Sequence, residues 1–304
     1  MTENTETGLI VRAQSGFFTV QGEDDQVVCQ LRGRLKQGRH TGDIAAIGDR
    51  VEFTRLDDGS GMIEVVEERK RSFVRLDPRP NGVYQQVILA NLDQLVIVFA
   101  CASPSPNMRM LDRFLVVAEM QQIPALIVAN KVDLVTLEKA DTIFGHYPAL
   151  GYPVLYTSAN QGSGVAELRS NLTGKLSALA GPSGVGKSSL LNAIQPDLGL
   201  AVREISSYMK KGRHTTNFRQ LIPLAGGGYI GDTPGLKALA LWDTEPEEMD
   251  AYFPEIAPLV RHCRFNNCTH QPGELDCAVQ QAVEDGLINP ERYESYLRLR
   301  AGAE

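Results

Sequence analysis

The sequence predicts a multi-domain chain with an N-terminal all-β barrel of the OB-fold type, a central α/β domain and a C-terminal, mostly α domain. Its 304 residues suggest two or three domains, since one domain usually has about 100–200 residues. Short β-rich runs come first, apolar runs alternate with helical patterns in the middle, and the last part is helical with a Cys and His cluster. We therefore expect domains at residues 1–72, 73–242 and 243–304.

The barrel is predicted from five short β-rich runs that are separated by Gly, Asp and Ser turns. Five strands within about 65 residues are typical of a small barrel, and the OB-fold is the best match. The runs are Gly8–Ala13, Phe17–Gln21, Val27–Leu31, Arg50–Arg55 and Met62–Val66.

A basic strip lies between the third and fourth of these runs. Residues 32–40 carry four formal positive charges, and no acid lies between Gln26 and Gly42. Two interpretations stay open, a solvated loop or a strip that contacts the phosphates of a nucleic acid. Under the second interpretation, the RNA-binding candidates are Arg32, Arg34, Lys36 and Arg39.

The central domain is predicted from apolar strands that alternate with helices. Before it, residues 68–82 are basic and contain proline, and we interpret them as a linker. Continuous apolar runs indicate a parallel sheet that is covered on both faces. The predicted elements are strands at Val87–Ala100, Ala125–Ala129, Val154–Thr157 and Leu176–Ala180 and a helix at Arg109–Gln121.

A phosphate-binding loop follows the last of these strands. Residues 181–188 read GPSGVGKS, which fits G-x-x-x-x-G-K-[ST], and an apolar helix follows. The glycines let backbone N–H groups surround phosphates at a helix N-terminus. Lys187 can act as a catalytic charge on the β and γ phosphates, and the Ser188 hydroxyl can ligate Mg²⁺. The predicted nucleotide contacts are Gly181, Pro182, Ser183, Gly184, Val185, Gly186, Lys187, Ser188 and Ser189.

The base is selected by an NKxD motif that follows the strand Ala125–Ala129. The Asp133 carboxylate only accepts hydrogen bonds, which suits the N1–H and N2–H₂ donors of guanine. The Lys131 stem can lie along the base, and Asn130 can tie this loop to the phosphate loop. Thr157-Ser158-Ala159 ends the next strand and fits a supporting guanine loop. The predicted guanine contacts are Asn130, Lys131, Val132, Asp133, Ser158 and Ala159.

Two further motifs fit the parts of a GTPase that sense the nucleotide. Asp232 begins DTPG, where a strand-end Asp usually holds Mg²⁺, and the Gly235 N–H can sense the γ phosphate. Thr215 or Thr216 can contact Mg²⁺ when GTP is bound and release it after hydrolysis, and the sequence does not distinguish the two. The predicted magnesium ligands are Ser188, Thr215 or Thr216, and Asp232.

The order of these motifs indicates a circular permutation. An ordinary GTPase begins with the phosphate loop and places NKxD late, whereas here NKxD and TSA come first. The motifs keep their cyclic order, and only the position of the chain termini within that order has changed. Folds tolerate new termini at loop tips. Since DTPG now leads towards the C-terminal domain, we expect GTP-dependent movement to pass to that domain.

A metal site is predicted in the C-terminal domain. Three of the five cysteines form the pattern Cys263-x4-Cys268-x-His270-x6-Cys277. Three Cys and one His make a closed structural Zn²⁺ set, and a reduced cytoplasm favours metal over a disulfide. His262 is the alternative histidine ligand. Cys29 and Cys101 are interpreted as small core hydrophobes.

Together these motifs resemble one family, the circularly permuted, ribosome small subunit-dependent GTPase A. The resemblance covers nearly the whole chain and depends most on GRHTT, DTPG and the cluster CRFNNCTH…CAV. It implies an OB-fold, a permuted GTPase domain and a zinc domain, with GTP hydrolysis coupled to small-subunit binding and release late in subunit maturation. The six residues between His270 and Cys277 are one more than the family usually has, so the loop at 273–276 departs from the family.

The residue after DTPG indicates slow intrinsic hydrolysis. Ras-like enzymes place a water-orienting Gln there, and this chain has Leu236. His214 is the catalytic candidate within the chain, to which the resemblance also points; the alternative is that it contacts rRNA or only packs. A second hypothesis is a GTP-regulated RNA-binding chaperone in which hydrolysis serves only for release. NKxD argues against a P-loop ATPase or kinase.

Charge and composition limit the partners. The net charge of −7 argues against a polybasic nucleic-acid binder. However, residues 243–304 alone carry −8, and residues 32–40 and 203–219 are locally positive. No apolar run approaches the roughly 20 residues of a membrane helix, and residues 1–8 do not form a secretory signal. We expect a cytoplasmic monomer that uses GTP and GDP with Mg²⁺, holds one Zn²⁺ and binds the small ribosomal subunit and its rRNA but no membrane.

Overall fold

The computed structural model describes residues 5–37, 40–79, 82–199, 219–231 and 245–302. The strands are β1 (Thr5–Gln14), β2 (Phe17–Gln21), β3 (Gln26–Leu31), β4 (Arg50–Arg55), β5 (Gly61–Val66), β6 (Ser72–Arg79), β7 (Gly82–Ala90), β8 (Gln94–Ala100), β9 (Ala125–Asn130), β10 (Val154–Thr157), β11 (Leu176–Ala180), β12 (Arg219–Pro223) and β13 (Tyr229–Gly231). The α-helices are α1 (Met108–Met120), α2 (Leu137–Phe144), α3 (Val165–Leu172), α4 (Lys187–Ile194), α5 (Ala278–Glu284) and α6 (Pro290–Arg300). None of these described helices has the length and apolar character that crossing a membrane requires.

The first five strands form the predicted OB-like barrel. Their order is β1-β2-β3-β5-β4, and β4 pairs back onto β1, which closes the sheet. The inward side chains Val20, Phe53 and Ile63 are fully buried, as is Cys29. The interior is therefore filled by side chains, and the prediction that Cys29 belongs to the core is confirmed.

The interpretation of residues 68–82 as a linker is wrong, because most of them belong to a hairpin. β6 pairs antiparallel with β7, and Phe73 lies opposite Leu89. Both side chains are buried. Asp43 of the barrel holds the hairpin, since its carboxylate accepts from the Val87 N–H at 2.9 Å and from the Tyr84 hydroxyl at 2.8 Å. The sequence did not reveal this hairpin because the apolar residues that pair in it, such as Phe73 and Leu89, lie on two different strands.

The central domain contains the predicted parallel sheet. Its order is β10-β9-β8-β11-β13, and all these neighbours are parallel. The predicted strand Val87–Ala100 is divided between β7 and β8, because the chain turns at Asn91 with a φ of 54°. All of β8 is buried: Phe99 packs in the core that includes α1 and α2, and Val98 packs in the core that includes α3 and α4. The sheet is thus covered on both faces, as expected.

A strand that the sequence analysis missed joins the barrel to the central domain. β12 pairs antiparallel with β13 and also with β1, in the register Arg12↔Gln220 and Ala13↔Arg219. The barrel and the parallel sheet therefore form one continuous sheet of 11 strands.

The C-terminal domain packs on α1 through a buried arginine. Arg292 of α6 has a side chain that is 1% exposed, and it forms ion pairs with Asp112 of α1 at 2.7 Å and with Glu255 at 2.5 Å. Its guanidinium carbon lies 4.7 Å from the centre of the Phe253 ring. Tyr147 donates a further hydrogen bond to Asp112 at 2.8 Å. This network anchors the C-terminal domain on the helical face of the central domain.

Candidate functional site

The phosphate loop connects β11 to the N-terminus of α4. Gly181 has a φ of 127°, and a Cβ there would lie 2.1 Å from the Val98 carbonyl oxygen. Gly186 precedes α4 with a φ of 101°, and a Cβ there would lie 2.3 Å from Asn130 Nδ2. Both the backbone angle and the available space require glycine at these two positions. The loop can therefore pack directly against β8 and the NKxD loop.

Lys187 and Ser188 occupy the first turn of α4, beside the positive end of the helix dipole. Lys187 Nζ donates to the carbonyls of Gly181 and Pro182, each at 2.7 Å. The Lys187 ammonium group is thus held against the loop backbone, and the adjacent Ser188 is buried. This is the arrangement that binding of phosphate and Mg²⁺ needs.

Asn130 joins three of the predicted loops. Its Nδ2 donates to the Val185 carbonyl of the phosphate loop at 2.8 Å. Its Oδ1 accepts from the Thr157 hydroxyl at 3.1 Å and from the Ala159 N–H at 3.4 Å. The side chain is only 1% exposed. The expectation that Asn130 ties NKxD to the phosphate loop is therefore confirmed.

Lys131 extends this network to a segment that the sequence analysis did not identify. The residue has a φ of 61°, and its Nζ donates to the Gly184 carbonyl at 2.7 Å and also to the Ser103 carbonyl. The segment after β8 thus supports the NKxD loop. Burial, together with the charge of Asp133, raises the pKa of the neighbouring Cys101 thiol to about 11, so this cysteine stays neutral beside the site. The prediction that Cys101 is a core residue is confirmed.

The TSA loop is buried and internally bonded. Thr157 and Ser158 have no exposed surface, and the Ser158 hydroxyl accepts from the Gln161 N–H at 3.2 Å. The Ala159 N–H points to Asn130, as described above. The half-buried Val132 and Asp133 follow in a short 3-10 helix at Val132–Leu134, so NKxD and TSA meet at the carboxyl ends of the adjacent strands β9 and β10.

Several predicted residues lie outside the described part of the chain. They are His214, Thr215, Thr216, Asp232, Gly235, Leu236 and Arg39. The nearest described elements are β12, which begins at Arg219, and β13, which ends at Gly231 directly before Asp232 in the sequence. β13 lies next to β11, the strand that leads into the phosphate loop.

The four predicted zinc ligands are brought together. The ligand atoms of Cys263, Cys268, His270 and Cys277 all lie within 4.8 Å of one another. His270 Nδ1 is 3.5 Å from Cys263 Sγ and 3.4 Å from Cys277 Sγ, which fits corners of a tetrahedron around Zn²⁺. Burial and the neighbouring thiols raise the pKa of Cys268 to about 12, so a bound cation would be needed to stabilise the thiolates. The alternative ligand His262 is exposed, contacts Arg261 and is not part of the cluster.

A carboxylate that the sequence analysis missed lies behind the histidine. Asp250 Oδ2 is 3.4 Å from His270 Nε2, a buried atom that makes no hydrogen bond within the described part of the chain. The Tyr296 hydroxyl donates to Asp250 at 2.6 Å, and Arg300 forms an ion pair with it. Burial alone would raise the pKa of Asp250, but the nearby His270 ring and the Tyr296 and Arg300 donors hold it below its usual value.

Two arginines of the basic strip form ion pairs with a glutamate of the barrel. Arg32 Nε lies 2.8 and 2.9 Å from the two carboxylate oxygens of Glu64, and Arg34 lies 3.2 Å from the same group. The hydrogen bond from Arg32 is the main cause that lowers the pKa of Glu64. Lys36 is exposed at the end of a 3-10 helix at Gly33–Lys36. Sequence reasoning missed Glu64 because it lies on another strand.

Comparisons with known proteins agree with this geometry. A family model described as RsgA GTPase matches residues 66–242, and one described as RsgA N-terminal domain matches residues 7–63. A curated protein of Gemmatimonas aurantiaca, named Small ribosomal subunit biogenesis GTPase RsgA, is 44% identical over 99% of this chain and 98% of its own length. A protein of the same name from Moorella thermoacetica is 43% identical over 97% of this chain and 96% of its own.

Two solved structures share the whole fold. YjeQ from Thermotoga maritima is 38% identical and superposes with a TM-score of 0.77 over 98% of both chains. YloQ, described as a circularly permuted GTPase, is 34% identical with a TM-score of 0.75 over 99% of this chain and 96% of its own.

Proposed function

The chain belongs to the RsgA GTPase family, and from this premise we propose that it is a GTP-hydrolysing assembly factor for late maturation of the small ribosomal subunit. In this proposal, it binds the subunit and its rRNA and is released on hydrolysis. It acts as a cytoplasmic monomer with domain boundaries at residues 72 and 242.

The observation that carries the proposal is the Asn130 network. One buried side chain bonds the phosphate loop through Val185 and the TSA loop through Thr157. In an ordinary GTPase these loops come from opposite ends of the motif order, so their convergence here supports one guanine-nucleotide site. Asp133 then recognises the base, Lys187 contacts the phosphates, and the other residues of these motifs complete the nucleotide site.

Mg²⁺ and Zn²⁺ have different roles in the proposal. Ser188, Asp232 and one of Thr215 and Thr216 hold the Mg²⁺ that a GTPase uses with its nucleotide, where the ion neutralises charge on the phosphates. Cys263, Cys268, His270 and Cys277 hold one Zn²⁺, whose role is structural because all four positions are filled by protein.

Hydrolysis depends on orienting a water molecule for attack on the γ phosphate. Leu236 has no polar group for this task, so intrinsic turnover is slow. Docking on the small subunit then brings His214, or a group of the rRNA, to the water. Lys187 and the loop N–H groups stabilise the charge that develops on the phosphate oxygens.

The base assignment is tested by Asp133→Asn. An amide presents a donor where guanine also has a donor, so we expect the nucleotide preference to shift from guanine towards xanthine. The measurement is competition of GTP, XTP and ATP against fluorescent GDP, with Glu138→Gln on the exposed start of α2 as a control. An unchanged preference for GTP would contradict the assignment.

The activity is tested by GTP turnover with and without small ribosomal subunits, at two salt concentrations. We expect stimulation by subunits that falls at high salt, and we expect His214→Ala to lose most of it. If subunits stimulate His214→Ala as strongly as the wild type, His214 does not orient the water. If a protein that cannot hydrolyse GTP still supports maturation, hydrolysis serves only for release.

A further inference from the structure

The outward face of the barrel strands carries two exposed apolar side chains, Phe17 and Val28, in neighbouring cross-strand rows. Phe17 of β2 lies opposite Gln14 of β1 and Gln30 of β3. In the next row, Thr19 lies opposite Arg12 and Val28. We name these six residues the Phe17 face: Arg12, Gln14, Phe17, Thr19, Val28 and Gln30.

Phe17 and Val28 do not pack in the barrel core. Phe17 is 49% exposed and Val28 is 51% exposed, whereas their chain neighbours Phe18 and Cys29 point inwards and are 7% and 0% exposed. The alternation of a β-strand sends these neighbours into the core and leaves the Phe17 ring beside solvent. An aromatic ring with half of its surface free can stack on a planar ligand.

The charges around this face favour an anionic partner. The Phe17 face has no carboxylate and carries Arg12. Glu64, on the same side of β5, is 11% exposed and is bonded to Arg32 and Arg34. Arg34 and Lys36 at the end of β3 leave much of their side chains exposed.

The polar side chains of the face suit a nucleobase. Gln14 and Gln30 flank the ring in the same cross-strand row. An amide carries both donor and acceptor groups, and Arg12 donates to Gln14 Oε1 at 3.1 Å, which holds this side chain on the face. Such groups can bond the edge of an unpaired base that stacks on an aromatic ring. The row of Arg12 continues to the exposed Gln220 on β12, so the surface reaches the nucleotide-binding domain.

We propose that the Phe17 face is a stacking platform for an unpaired base of RNA. The inference rests on the proposed function, in which the chain binds rRNA. It moves the main RNA contact of the barrel from the basic strip at residues 32–40 to the Phe17 face. Arg32 and Arg34 hold Glu64, while Phe17 stacks on the base and the amides of Gln14 and Gln30 bond its edge.

The test is the affinity of the full chain for fluorescein-labelled single-stranded oligo(A) across a range of salt concentrations. For Phe17→Ala we expect roughly tenfold weaker binding, the loss of one stacked base. The slope of log affinity against log salt should stay unchanged, since no phosphate contact is removed. Phe17→Trp should restore binding, and Lys36→Ala should instead make the slope shallower by about 0.7.

Leu56→Ala is the matched control, because Leu56 is also an exposed apolar residue of the barrel, at 40%, but lies in the turn after β4. We expect it to bind oligo(A) like the wild type. Thermal unfolding and GTP turnover without subunits should be the same in Phe17→Ala as in the wild type, which separates this proposal from the nucleotide site.

Three outcomes would overturn the proposal. They are wild-type affinity in Phe17→Ala, a loss that comes with a changed salt slope, and a wild type that does not bind oligo(A). If Phe17→Ala keeps its affinity for oligo(A) but loses association with small subunits, the face contacts a protein instead. A failure of subunits to stimulate GTP turnover would count against the proposed function and leave the RNA measurement to decide this inference.

Discussion

At the scale of single residues, Asp250 is the side chain that we expect to set zinc affinity without ligating the ion. It lies 3.4 Å from His270 Nε2 while Nδ1 faces the cysteines. A carboxylate in this position orients the imidazole and keeps the proton on the nitrogen that does not bind metal. Tyr296 and Arg300 hold the carboxylate in place.

Asp250→Asn should therefore weaken zinc binding by about tenfold or more. The measurement is competition between the full chain and a chromophoric chelator. Tyr296→Phe should have a smaller effect, because it removes only one donor to Asp250. Glu294→Gln is the control, since Glu294 lies on the same helix as Tyr296, is 52% exposed and, within the described part of the chain, bonds the exposed Arg109 and Arg298. Equal zinc affinity in Asp250→Asn and the control would contradict this role.

The residues that sequence reasoning found and missed differ in one physical respect. The zinc ligands fall between Cys263 and Cys277, and the phosphate loop is continuous, so each leaves a local spacing. Asp250, Glu64 and Ser103 meet their partners only through tertiary packing. Arg32 shows the consequence, because its charge was visible in the sequence and its ion pair with Glu64 was not.

At the scale of elements, α6 is held on α1 by the buried ion pairs of Arg292. Removing one partner of a buried pair leaves the other charges without compensation. Arg292→Ala should therefore lower the free energy of unfolding by about 3–5 kcal/mol. The measurement is urea unfolding followed by circular dichroism.

Arg298→Ala is the matched control for Arg292→Ala. Arg298 lies on the same helix, but its side chain is 49% exposed and its partner Glu294 is exposed as well. Such a surface pair contributes less than about 1 kcal/mol. Equal losses in the two variants would show that the buried network does not anchor the C-terminal domain.

Elements were predictable where their signal was local. The observed β2, β4, β10 and β11 have the predicted bounds, because each is a short apolar or alternating run between turn residues. β12 was missed because its five residues end in proline and its barrel partner Arg12 is distant in the sequence. The hairpin of β6 and β7 was missed because basic residues and prolines interrupt the strand pattern of β6 in the sequence. The two strands are recognisable as strands only when they are seen paired.

At the scale of the whole molecule, β12 changes the expected route by which the nucleotide state affects other domains, because it pairs with both the barrel and the central sheet. The sequence indicated a path from DTPG to the C-terminal domain. The structure adds a path to the barrel, since β12 begins directly after residues 200–218, which carry His214 and the two candidate switch threonines. The acidic C-terminal domain is anchored on α1 instead, through Arg292. We therefore expect nucleotide state to act on subunit binding through the barrel.

Gln220→Pro tests this path, because Gln220 lies opposite Arg12 of β1, whereas the described pairing of β12 with β13 runs from Leu221 to Pro223. Proline removes a backbone donor from the strand. The measurement is the factor by which a non-hydrolysable GTP analogue changes affinity for small subunits. By linkage, subunits must change the affinity for the analogue by the same factor.

We expect this factor to fall towards one in Gln220→Pro, while binding of the analogue to the free protein stays at the wild-type value. Gln220→Thr is the control, because it changes the exposed side chain and keeps the backbone donor of a good strand residue. If Gln220→Pro retains the wild-type factor, the coupling does not pass through β12. The path from DTPG to the C-terminal domain would then be favoured, and Arg292→Ala should reduce the same factor.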